Sequence, residues 1–82
     1  MTHTPHELAA DFPGQAALIR RLRIEDAHFA RLAERYHEIN GAVHRAETGV
    51  DPMDPTHETE LRKERMRLKD EIAALLSAAA TA

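Results

Sequence analysis

The chain has 82 residues, no cysteine, no tryptophan, a formal net charge of -3 and 30% charged side chains. That length holds one small domain at most, and without cysteine neither a disulfide framework nor a thiolate metal site can reinforce a thin core. No run of 18 apolar residues and no basic, apolar leader occurs, so a cytoplasmic protein without membrane contact is expected.

The apolar fraction is carried mostly by alanine and leucine, the composition of long amphipathic helices. A single all-α domain over residues 1–82 is therefore expected. Thr4, Pro5 and Glu7 form a capping box with proline at the first helical position, predicting a short helix within residues 5–12. Asp11-Phe12-Pro13-Gly14 then interrupts it, because the residue before a proline avoids the helical region.

Residues 14–48 contain no further proline after Pro13, and their apolar side chains repeat in alternating steps of three and four. Leu18, Leu22, Phe29, Leu32, Tyr36, Ile39, Val43 and Ala46 make the seam, with Glu25 as its polar member. One helix roughly 50 Å long is predicted at about 1.5 Å per residue. Gly49, Pro52 and Pro55 fall close together and mark a turn over residues 49–54.

A second long helix is predicted over residues 55–80, with Asp54 as N-cap. Its seam is Glu58, Leu61, Arg65, Leu68, Ile72, Leu75 and Ala79. Folded as an antiparallel hairpin about Pro52, the two seams come into register: Val43 meets Leu61, Ile39 meets Arg65, Tyr36 meets Leu68, Leu32 meets Ile72, and Phe29 meets Leu75. The expected fold is thus a two-helix coiled-coil hairpin with a short N-terminal helix, associating into a helical bundle, since a two-helix core is marginal.

Two positions in this scheme have open readings. Arg65 occupies a seam position that prefers an aliphatic residue; its stem covers the seam while the guanidinium reaches toward Tyr36 or an acidic neighbour, specifying register or meeting a partner. Leu8 and Phe12 either fold back near Leu18 and Ile19 or dock on another protein. Ile19, Ile24 and Met66 lie off the seam.

The stretches His6-Glu7-Leu8, Asp11-Phe12-Pro13 and Asp26-Ala27-His28-Phe29, with Leu32, Tyr36, Ile39, Glu47, Leu61 and the run from Arg65 to Ile72, resemble the YdcH-like proteins. These are short bacterial helical-hairpin proteins of unknown function. The resemblance spans about Pro5 to Leu76; Met66 stands where leucine is more usual and Gly14 where an acidic residue is. It implies a bacterial cytoplasmic hairpin and brings no activity, cofactor or catalytic residue.

Chemistry is sparse in the residues themselves. Among six histidines, His37 and His44 are seven apart, roughly 10 Å along a helix, too far to share an ion within one chain. His3 and His6 are spaced three apart at the chain's tip. Asp26 and His28 are two apart and point to different sides of a helix, which disfavours a proton-transfer pair and favours contacts to the second helix or N-terminal segment. No nucleophile stands beside a base and no glycine-rich phosphate loop exists, so no catalytic, cofactor or metal residue is assigned.

Arg20-Arg21-Leu22-Arg23 and the run from Arg62 to Lys69 are locally basic, but acidic residues balance both helices and no exposed aromatic series is present. A nucleic-acid-associated regulator is the alternative. The favoured expectation is a non-enzymatic interaction module that self-associates, a dimer first, or binds a larger protein. Its packing and interaction candidates are Leu8, Phe12, Leu22, Phe29, Leu32, Tyr36, Ile39, Leu61, Arg65, Leu68, Ile72 and Leu75.

Overall fold

The computed structural model describes residues 8–50 and 52–81. The capping box expected at Thr4 to Glu7 lies outside them, as do His3 and His6. The described residues are all-α, with helices α1 (Leu8–Asp11), α2 (Ala16–Glu25), α3 (Ala27–Glu47) and α4 (Pro55–Thr81).

The single long helix expected over residues 14–48 is two helices. Asp26 adopts an extended conformation, φ -125° and ψ 104°, between them. Its own N–H closes α2 on the Leu22 carbonyl, and its Oδ1 accepts from the backbone N–H groups of His28 (3.0 Å) and Phe29 (3.1 Å). Asp26 is thus C-cap of one helix and N-cap of the next, satisfying donors that an uncapped start leaves bare. The chain reverses there, bringing Ala16 and Ile19 of α2 beside Tyr36, His37 and Asn40 of α3.

The helix ends around the loop follow local chemistry. Thr48 N–H bonds to the His44 carbonyl and Gly49 N–H to the Ala46 carbonyl, with Gly49 at φ +77°, a left-handed conformation that glycine adopts without strain. The Asp54 carboxylate accepts from the N–H groups of Thr56 (3.0 Å) and His57 (3.3 Å), and Pro55 takes the first helical position.

α3 and α4 run antiparallel. Arg35 of α3 pairs with Glu64 at 2.8 Å and His28 stands 3.7 Å from Glu71, so a step of one heptad forward along α3 is one heptad backward along α4. On the other flank Glu47 faces Arg62 at 3.8 Å. The molecule measures 42 × 28 × 20 Å, its long axis matching the roughly 40 Å of a 27-residue helix.

All four helices contribute to the core. Phe29, Ala33, Tyr36, Ile39, Asn40 and Val43 of α3, Leu68, Ile72 and Leu76 of α4, Ile19 of α2 and Leu8 of α1 are buried. The buried stripe keeps Phe29, Tyr36, Ile39, Val43, Leu68 and Ile72 of the expected seam and widens to one side of it: Leu76 is buried where Leu75 was expected, and Ala33 is buried beside a half-covered Leu32. A side chain one step along the chain lies about 100° round the helix, so Ala33, Asn40 and Leu76 stand at the edge of the stripe that faces α2. The cause is tertiary, because α2 lies on that flank of the α3–α4 pair.

Candidate functional site

Tyr36 is the centre of the most polar part of the interior. It projects from the middle of α3, is 2% exposed, and its hydroxyl donates to an Asp11 carboxylate oxygen at the end of α1. The Asn40 side chain, one turn on along α3, hydrogen-bonds the same tyrosine, and the Arg65 charge on α4 acts on it. Burial first, then the Asp11 hydrogen bond and charge, pushes the Tyr36 phenol up to about 12; Asn40 and Arg65 oppose that rise. One phenol thus links α1, α3 and α4.

Beside this cluster an open cleft of about 590 Å3 separates the α1–α2 arm from α3. Leu8, Ala9, Ala16, Ile19, Ala33 and Tyr36 supply its apolar lining, Arg20 and Arg23 stand on α2, and Glu34 and His37 on α3. Gln15, at the arm's bend, is half-buried with its side-chain oxygen turned inward.

The candidate residues divide by depth. Leu8, Phe29, Tyr36, Ile39, Leu68 and Ile72 are buried, while Phe12, Leu22, Leu32, Leu61, Arg65 and Leu75 are half-buried. Leu8 is buried in the core with Phe12 packed against it, and Leu8 also lines the cleft beside α3. Of the off-seam residues, Ile19 enters the core, whereas Ile24 is 85% and Met66 67% exposed.

Ala33, Asn40, Leu76 and Asp11 were not among the candidates. Ala33, Asn40 and Leu76 sit one residue beyond the seam positions Leu32, Ile39 and Leu75, and a two-helix register holds no signal for a third helix on that side. Asp11 stood in the Asp11-Phe12-Pro13-Gly14 interruption and in the family resemblance, neither of which assigns it a packing role.

Electrostatics on the open flank are those of a solvated ion-pair row. Arg35 forms a two-bond fork with Glu64, at 2.8 and 3.2 Å, which raises the arginine and lowers the glutamate from their ordinary values. Elsewhere on α4, Arg62, which faces Glu47 on the other flank, is held by Glu58 at 3.0 Å, and Lys63 lies 3.9 Å from Glu60. Among the described residues no group of three or more His, Asp or Glu side chains is gathered for a metal ion, and no helix is long and apolar enough to cross a membrane.

A family model described as a protein of unknown function (DUF465), the family to which the YdcH-like proteins belong, matches residues 29–76. This stretch holds all but the first two residues of α3, the loop, and most of α4. Comparison with curated proteins gave no match. Comparison with solved structures gave none either.

Proposed function

We propose, from the premise that the chain belongs to the DUF465 family of proteins of unknown function, that it is a non-catalytic helical module that works by associating with itself. The half-covered leucines carry this reading. Leu32, Leu61 and Leu75 remain only partly buried although the α3–α4 pair is formed, because α2 draws the core toward the opposite flank. Leucines left at the edge of a helix pair, beside rows of charge such as Arg35–Glu64 and His28–Glu71, suit a second helical surface.

A second copy is the simplest partner, since a two-fold axis lets one patch cover its own equivalent. The basic run from Arg62 is partly neutralised by Glu47, Glu58 and Glu60, which favours this reading over nucleic acid.

Sedimentation from low to high micromolar concentration tests the proposal. A dimer that persists in roughly 0.5 M salt and becomes a monomer in the Leu32→Glu and Leu75→Glu variants is expected, because apolar contacts outlast screening. A wild-type monomer across the whole range would refute self-association.

A further inference from the structure

Asp26 is the one non-helical residue between Ala16 and Glu47, and no proline lies in that stretch. Both flanks of the break are helical, so turning one residue from extended to helical backbone joins α2 and α3 into a single helix. The joined helix would have a continuous face. Gln15, Ile19, Leu22, Asp26, Phe29, Ala33, Tyr36, Asn40 and Val43 follow one another in steps of four and three, and each is buried or half-buried in the folded-back chain.

That phase match is not required by the present fold. Two helices separated by a reversal can bury stripes of unrelated phase, yet here α2 and α3 bury the stripe that one straight helix would present. An open cleft of about 590 Å3 runs along the arm, between α1–α2 and α3.

We infer that residues 8–25 are an exchangeable arm: straightening at Asp26 carries α1 and α2 onto the α3–α4 pair of a second copy, whose own arm takes the vacated place. The occupant follows from the geometry. The surface that fits Leu8 and Ile19 in one chain exists unchanged in every other copy, so reciprocal exchange rebuilds the same core contacts, including Tyr36 with Asp11, between chains. The folded-back form is held by the Asp26 cap, which the straight helix does not need. This inference rests on the self-association reading; exchange joins the copies across the α2 flank of the α3–α4 pair, a contact additional to the leucine edge of Leu32, Leu61 and Leu75.

The test uses the full chain, which has no native cysteine to compete for label. Spin labels go on cysteines at Ala17→Cys and His37→Cys, and labelled chains are mixed into a large excess of unlabelled protein so that only distances within one chain are read. Folded back, α2 and α3 lie side by side and the labels are roughly 10–20 Å apart; in a straight helix their 20-residue separation is roughly 30 Å.

The longer distance is expected to appear in step with dimer mass as concentration rises. Asp26→Ala, which removes the cap, is expected to lower the concentration of half-dimerisation at least about fivefold. Ala27→Pro is expected to abolish the long distance, because proline suits the first position of α3, favours the extended Asp26 before it, and interrupts a continuous helix. A dimer showing only the short distance would overturn the exchange and leave self-association standing. A monomer showing only the short distance at every concentration would overturn both.

Discussion

The Tyr36 hydroxyl donates to Asp11 and is hydrogen-bonded by Asn40, so Tyr36→Phe removes partners from a half-buried carboxylate and a buried amide. A loss of about 1–2 kcal/mol is expected in urea titration. The same residue sets an alkaline limit. Its folded value is raised from 10.0 to about 12, so the unfolded chain ionises first; the contribution is whole below about pH 10 and is lost as pH rises toward 12. The stability difference between wild type and Tyr36→Phe should therefore narrow over that window, as paired denaturation curves at pH 8 and pH 11 would show. Arg65, half-buried on α4, lends its positive charge to this cluster.

Helix ends decide how the elements meet. Gly49 lies at φ +77°, a region that costs an L side chain about 1–2 kcal/mol, so Gly49→Ala should lower the melting temperature although nothing crowds the site. Asp54→Ala removes the acceptor for Thr56 and His57 and should cost about 1 kcal/mol. Glu64→Gln breaks the fork with Arg35, both carried on the solvated flank; its effect should be visible at low salt and vanish near 1 M, in melts at the two ionic strengths.

At the scale of the whole molecule, a core this small has little redundancy. Phe29 is fully buried one turn past the Asp26 cap, where α2, α3 and α4 come together. Phe29→Ala should cost about 3–5 kcal/mol, a large part of the typical stability of a small domain, and leave the chain substantially unfolded by circular dichroism at 25 °C. The measurement belongs at one fixed protein concentration, because association with another copy raises apparent stability by mass action.

Much of this architecture is written locally. The alternation of three- and four-residue steps makes α3 and α4 amphipathic helices, Gly49 and Pro55 bound the loop, and Asp54 caps the second helix; each of these depends on residues within a turn or two along the chain. The break at Asp26 is different in kind. Asp26 is a competent N-cap, but with no proline or glycine beside it the heptad passes through unbroken, and a straight helix and a capped reversal satisfy the same residues. Burial of Ile19 and Leu8 against α3 selects the reversal, and that burial exists only once the chain has folded. The same long-range contact widens the core to Ala33 and Leu76 rather than Leu32 and Leu75 and brings Asp11 to Tyr36. The sequence by itself determined which segments are helical and where the loop falls, because those are nearest-neighbour preferences; tertiary structure alone decided where the first long helix bends and to which side of the seam the core widens, because both depend on what packs across the gap.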